Sequence, residues 1–312
     1  MKPNFGISSA QVNELLCKQF ATWSLVSANY QALETVKSKS YSFEDFTLKV
    51  QFNPFRKNTP NSPCPLCANN LSVKQERVPF GRDYIVLCNP YPIFPSHFTI
   101  PARIHSPQRI LSRFGDLLEL SRKLDKFTLF YNGPFCGTSA PDHAHFQVGT
   151  KGIMPFDNEI DSLVKHKGEL ILSEPTASLY GLYGVARNSL IIKARTITAA
   201  RKLFGLIYQS LSEKEGEPEP RMNILCQYTD GTWTVSIFPR SEQCPGLYDN
   251  ADSNQRLLKP GAVQMGGLFI TSSEEDYDKA TPSILLDIYR QICLPDDSFR
   301  DLCRHIQQLY SK

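Results

Sequence analysis

Apolar side chains recur at helical spacing over residues 8–37, at Val12, Leu15, Leu16, Phe20, Trp23 and Leu25, with Ser8 or Ser9 placed to cap the first turn. This pattern predicts a packing helix. The period then changes. Residues 46–52 alternate apolar and polar as a half-buried strand does, and residues 53–70, rich in Pro and Asn, read as a loop. Residues 84–88 and 97–100 predict two further strands separated by the rigid turn Asn89-Pro90-Tyr91-Pro92. Pro107 opens an amphipathic helix running to about residue 124, and strands follow at 127–131 and 143–149. This order of elements suits an α+β unit on a mostly antiparallel sheet.

The rest of the chain repeats those ingredients without repeating the residues. Strand signals run over 182–194, a helix over 197–211, and a hairpin over 222–228 and 232–238, turned at Asp230-Gly231. A Gly-rich stretch, 261–269, reads as a strand that ends in the signals of 268–271, and helices are expected near 283–292 and 298–310. The predicted fold class is α+β, with two α+β halves, each a mostly antiparallel sheet packed by helices. The expected divisions are an N-terminal helical segment, 1–45, a first half, 46–155, and a second half, 156–312.

Composition narrows the class. At 312 residues the chain is long enough for about two domains. With 41% hydrophobic, 21% charged and 11% aromatic residues it has an ordinary globular profile. A net charge of +3 does not describe a dedicated nucleic-acid binder, so attraction for anions is expected to be local to a site. No signal-peptide run opens the chain and no apolar run has membrane-spanning length, which leads to the expectation of a cytoplasmic protein with no membrane partner. Nine cysteines then point to reduced thiols and a metal site more than to a disulfide framework.

Against that background the reactive side chains are concentrated. Four of six histidines fall between positions 97 and 145, and Cys64-Pro65-Leu66-Cys67 lies just upstream. The densest stretch, Asp142-His143-Ala144-His145-Phe146-Gln147-Val148, follows the Gly-rich loop of residues 132–139. If it is extended, His143, His145 and Gln147 share one face. An imidazole flanked by a second imidazole and an amide, beside free backbone N–H groups, suits attack on a phosphorus atom and holding of its oxygens. The plainer alternative is an amphipathic strand whose two histidines are exposed, or hydrogen-bonded in a polar core.

Residues 89–105, 132–139 and 142–147 together resemble the histidine-triad superfamily, in the branch of galactose-1-phosphate uridylyltransferase, ATP adenylyltransferase and the GDP-hexose phosphorylases. A fainter likeness to the GDP-hexose phosphorylases continues through residues 237–240 and 274–280. The resemblance implies that residues 46–155 are the catalytic half and residues 156–312 a degenerate copy. It also implies that His145 is the nucleophile, attacking the α-phosphorus of a nucleoside diphosphate compound to give a nucleotidyl-histidine that a phosphate-bearing acceptor resolves. Gln147 matches the branch's glutamine, where hydrolytic relatives usually carry a third histidine. An amide holds a phosphate oxygen but is a poor proton donor, which favours transfer or phosphorolysis over hydrolysis. Asn132 falls at the phosphate-contacting asparagine, with Gly137, Thr138 and Ser139 of its loop as further phosphate-binding candidates. Asn89 matches a ribose-contacting position, although turn chemistry alone also explains an asparagine there. The chain departs from the uridylyltransferase pattern at Ala140, where that pattern has serine.

Cys64, Cys67, His105 and His143 supply two thiolates and two imidazoles, enough for a closed tetrahedral zinc site, and the uridylyltransferase pattern puts zinc ligands at the matching places. The GDP-hexose phosphorylases lack this cysteine pair, so the chain mixes features of two sub-branches. His97 is expected to pack at a strand start, and Cys88, Cys136, Cys226, Cys244, Cys293 and Cys303 to be buried small residues. Arg56, Lys57, Arg82, Arg103 and Arg240 are basic candidates for phosphate or sugar contacts, and Gln264 for the sugar pocket.

The function expected is a nucleotidyltransferase or phosphorylase. Its substrate would be a nucleotide sugar of GDP-hexose or UDP-hexose type or a dinucleoside polyphosphate, and its acceptor inorganic phosphate or a sugar phosphate. A hydrolase of the same fold and a non-catalytic nucleotide-binding protein are the alternatives. Dimers are frequent in the superfamily, so a homodimer is one expectation. Base, sugar and acceptor are left open by the sequence.

Overall fold

In the computed structural model the described residues are 6–55, 63–245 and 259–312. The single N-terminal helix expected from periodicity is two, α1 (Ser9–Thr22) and α2 (Ser24–Leu33). Ser8 caps the first, its side chain accepting from the Gln11 N–H. The break falls at Trp23, which turns extended (φ −133°, ψ 96°) and drops its ring into the core, leaving Phe20 and Leu25 of the apolar stripe partly exposed. The chain then becomes a strand, β1 (Lys37–Ser42), where helix was expected. Its KSKSYS sequence has no apolar alternation because it is an edge, held by antiparallel backbone pairing to β2 (Thr47–Phe52).

Ten strands make the main sheet: β3 (Val78–Phe80), β4 (Tyr84–Cys88), β5 (His97–Pro101), β6 (Phe127–Asn132), β7 (His145–Thr150), β8 (Gly168–Glu174), β9 (Ala177–Leu182), β10 (Ser189–Ala194), β11 (Met222–Thr229) and β12 (Thr232–Pro239). Their order is β3-β4-β5-β7-β6-β11-β12-β10-β9-β8, with every neighbouring pair antiparallel. The α+β class holds, and the sheets of the two halves meet edge to edge through β6 and β11, which puts Asn223 opposite Asn132. A second link is β13 (Leu268–Thr271), which lies parallel to β2 in a separate three-stranded sheet.

Several expected elements shift for local reasons. The strand signals of 182–194 are two strands, β9 and β10, around a turn with Gly184 and Ala186 at positive φ. The helix expected from Pro107 starts later, as a 3-10 turn (Leu111–Arg113) and then α3 (Phe114–Lys123). Residues 107–110 are instead spent on cross-chain bonds: the Gln108 N–H donates to Pro141 and the Ile110 N–H to the Glu219 carboxylate. A helix the periodicity did not announce, α4 (Pro155–Lys167), carries Pro at its first turn. α5 (Ile197–Ser210) is as expected, capped by Thr196. The Gly-rich stretch from residue 261 opens with a helical turn, α6 (Ala262–Met265), and only then becomes β13. α7 (Glu274–Lys279), α8 (Pro282–Ile292) and α9 (Asp296–Tyr310) end the chain.

The sheet separates two cores. Phe98, Ile100, Phe146 and Val148 pack with α1, α3, α5 and α9 on one side; Phe94, Phe130, Phe156 and Phe238 pack with α4, α6 and α8 on the other. Because side chains alternate, the Phe130 side of β6 also carries Asn132, and across the ladder it carries Gln147, Thr99 and His145. Among the described residues no helix is long and apolar enough to cross a membrane.

Candidate active site

Strand β7 delivers two of the three motif residues to one face, and the third lies outside the strand. His145 and Gln147 stand on the polar face of the ladder, while Phe146 and Val148 fill the opposite core. His143, expected on the same strand face, precedes the strand in a turn: its N–H bonds to Ala140 and the Ala144 N–H bonds to Ser106, so the ladder begins only at His145. The ring of His143 is thereby turned toward the cysteine loop. Gly149 ends the motif because no side chain fits, a Cβ there coming within 2.5 Å of the Phe94 ring.

His145 and Gln147 line a cavity of about 530 Å³, ordinary for a small-ligand site. Asn89, Asn132, Gly137, Thr138 and Ser139 line it as well, so every nucleotide-binding candidate reaches one space. The loop of residues 133–139 passes close to the second half: Gly137 has φ +81°, and a Cβ on it would lie 2.7 Å from the backbone of Gly261. Only glycine satisfies both conditions. Among the described residues, the N–H groups of Gly137, Thr138 and Ser139 have no internal acceptor.

Obligate partners fix which way each polar group faces. The Nδ1 of His145 lies 2.8 Å from the His143 carbonyl, which can only accept, so Nδ1 carries the proton and Nε2 offers a lone pair. Burial lowers the pKa of His145 to about 4, against the His143 carbonyl contact that raises it, so the ring is neutral at pH 7. The orientation of Gln147 is set by His97. The Ile93 N–H donates to Nδ1 of His97, so a neutral His97 holds its proton on Nε2, which donates to Gln147 Oε1 at 3.1 Å. The remaining group of Gln147 is its NH2. Likewise the Ala262 N–H, a donor only, meets the Asn132 side chain at 2.6 Å, so that atom is Oδ1 and the NH2 is left for the cavity. His97, expected only to pack at a strand start, does start β5 and is fully buried, but it also sets this amide.

Two further residues gave no sequence signal. Gln108 is fully buried and clamps His145 by accepting from its N–H at 2.8 Å and donating to its carbonyl at 3.0 Å, while also reaching the Asn132 carbonyl. Lys259 is the only fully charged side chain among the described residues lining the cavity. Asn89 lines the cavity but spends its amide on turn chemistry, accepting from the Tyr91 N–H and donating to Thr99. Of the basic candidates, Arg82 and Arg103 are exposed away from the cavity, and Arg56 and Lys57 lie outside the described residues. Arg240 is buried, bonded to Asn223 and to the carbonyls of Pro260, Glu242 and Gln243. Gln264 lines the cavity, its Oε1 held by the Gly261 N–H. Cys244, expected buried, is half-buried.

Beside the cavity, the ligand atoms of Cys64, Cys67, His105 and His143 lie within 4.8 Å of one another, a group that could hold a metal ion. Sulfur to Nδ1 distances are 3.1 Å (Cys67 to His105), 3.4 Å (Cys64 to His143) and 3.6 Å (Cys67 to His143). A tetrahedral zinc with ordinary bonds would set such edges at about 3.5 Å. The Nε2 of His143 meets the Ala102 carbonyl at 2.8 Å, which places its proton there and turns the Nδ1 lone pair toward the thiols. The donor set therefore fits. The same loop supplies Pro65, Leu66, Asn70 and Leu71 to the cavity wall.

Residues 15–150 match the family model of a domain of unknown function, DUF4922, and residues 187–312 match that of the GDPGP1-like C-terminal domain. No curated protein matches the chain by sequence. The crystal structure of yeast Ap4A phosphorylase Apa2 in complex with AMP is 17% identical over 91% of this chain and 96% of that one, with a TM-score of 0.62. Its complex with Ap4A is 18% identical over 88% and 97%, at 0.57. The chain shares the fold of that phosphorylase. A uridylyltransferase structure aligns more loosely, 14% identical over 80% and 91% at a TM-score of 0.43. The two family models lie on either side of the β6 and β11 junction, so the cavity draws on both.

Proposed function

We propose that the chain is a nucleotidyltransferase or phosphorylase that carries a nucleoside monophosphate on His145. The observation that carries this reading is the orientation of His145: its proton is committed to a carbonyl, and the residue lines the same cavity as Gly137, Thr138 and Ser139, whose N–H groups have no acceptor among the described residues. Nε2 attacks the α-phosphorus of a nucleotide sugar or dinucleoside polyphosphate, an N–P bond forms, and the P–O bond to the leaving phosphate breaks. The His143 carbonyl stabilises the positive charge the ring acquires. An oxygen of inorganic phosphate or a sugar phosphate then attacks the same phosphorus, the N–P bond breaks, and the neutral ring returns.

The NH2 groups of Gln147 and Asn132 and the N–H groups of residues 137–139 hold the phosphoryl oxygens, and Asn89, which lines the same cavity, takes the ribose. Gln147 has no acidic proton, so it cannot serve as the general acid or base that a third histidine would supply, which favours a phosphate acceptor over hydrolysis. Cys64, Cys67, His105 and His143 would hold zinc, whose contribution is to pin the loop that walls the cavity. Turnover of GDP-hexose, UDP-hexose and dinucleoside tetraphosphate, compared with and without inorganic phosphate, tests the reading. The expected outcome is release of a nucleoside diphosphate that depends on added phosphate. Equal turnover without phosphate would assign a hydrolase, and none with any substrate a binding protein.

A further inference from the structure

Behind Asn132 runs a line of buried polar side chains that the chemistry above leaves unused. Asn223 faces Asn132 across the β6 and β11 ladder and is fully buried. Its Oδ1 accepts from Arg240 Nη1 at 2.7 Å; a guanidinium only donates, so the other atom of this amide is the nitrogen. That nitrogen donates twice, to Asn132 Oδ1 at 2.9 Å and to the Cys136 carbonyl at 2.8 Å. Arg240 also donates to the Pro260 carbonyl at 2.9 Å, and among the described residues it meets carbonyls rather than a carboxylate. One guanidinium thus ties the loop after β6, the strand β11 and the segment that closes over the cavity from the second half.

We propose that Arg240 and Asn223 are positioning residues that present the Asn132 NH2 to a phosphoryl oxygen. This deepens the reading of the cavity as a phosphoryl site and rests on it. Each bond in the line runs in one direction, guanidinium to amide to amide, and a chain of aligned donors polarises its last member. The outer NH2 of Asn132 is accordingly a stronger donor than an isolated amide and is held still before the ligand arrives. The consequence is selective: the relay acts on the phosphate of a ligand and not on its base or ribose.

The test is the affinity of a nucleoside monophosphate relative to its nucleoside, measured by calorimetry with GMP and guanosine, AMP and adenosine, and UMP and uridine. Asn223→Ser and Arg240→Lys leave the net charge unchanged. In Asn223→Ser the preference for the phosphorylated ligand is expected to fall about tenfold, with nucleoside affinity unaltered; Arg240→Lys should give a smaller loss of the same kind. Asn132→Ala should produce a similar fall, and adding Asn223→Ser to it should lose nothing more, because the relay acts only through Asn132. Equal weakening of nucleotide and nucleoside, a preference retained in both single variants, or additive losses in the double variant would overturn the relay. A wild-type protein that prefers none of the three monophosphates would remove the phosphoryl site itself.

Discussion

At the scale of single residues, what matters is that a buried donor or acceptor leaves its neighbour one choice. The His143 carbonyl, the Ile93 N–H and the Ala262 N–H each dictate an orientation, and the cavity inherits a lone pair and two NH2 groups from them. His97→Ala frees Gln147 to rotate and leaves the buried Ile93 N–H without its acceptor, so we expect kcat/KM to fall by about tenfold and stability in denaturant unfolding to fall by about 2–4 kcal/mol. The pH profile follows from the His145 shift to about 4. The His145 ring is neutral from pH 5 to 8, so if it is the proposed nucleophile, single-turnover adduct formation should show no titration near 6.5. A step there would mean the ring is solvated. The same shift enters stability: the unfolded imidazole takes its proton near 6.5 and the folded one near 4. This contribution is therefore full above about pH 6.5 and is lost as pH falls toward 4, and His145→Asn should lack it. The sequence made the motif residues legible because their types and spacing are local. It hid Gln108 and Asn223, whose partners lie 37 and 91 residues away, and it offered Arg240 as a direct phosphate or sugar contact where its bonds are to Asn223 and backbone carbonyls.

At the scale of elements, legibility tracked burial. Strands β4, β6, β11 and β12 were readable as short apolar runs buried on both faces, and helices α5, α8 and α9 because apolar residues recur at the helical period. β1 was not, since an edge held by backbone bonds needs no apolar face, and neither was the break at Trp23, which is set by where an indole finds room. Two elements give predictions. The cysteine loop walls the cavity, so chelation or Cys67→Ser should lower the melting temperature by about 5 °C and weaken nucleotide binding together. Loss of neither would show that the loop stands without metal. Gly149→Ala puts a methyl against the Phe94 ring, which must shift, for an expected cost of about 1–3 kcal/mol in denaturant unfolding.

For the whole molecule, the two halves are continuous in the sheet. The sequence showed two similar sets of elements, but pairing between β6 and β11 depends on register between distant strands that no local pattern carries. A cut between residues 155 and 156 would leave both pieces with an unpaired edge, so calorimetry of the whole chain should show a single transition; two resolved transitions would contradict a shared core. The assembled cavity takes His145 and Gln147 from one half and Lys259 and residues 261–264 from the other. The most direct test of the account is mass spectrometry of the protein after acid-free quenching of a reaction with GDP-hexose, UDP-hexose or dinucleoside tetraphosphate in the absence of acceptor. The account predicts a mass increase of one nucleotidyl group, mapped to the peptide bearing His145, acid-labile as a phosphoramidate, and absent in His145→Ala. Substrate turnover by the wild-type protein without any such adduct, or an adduct mapped to another residue, would contradict it.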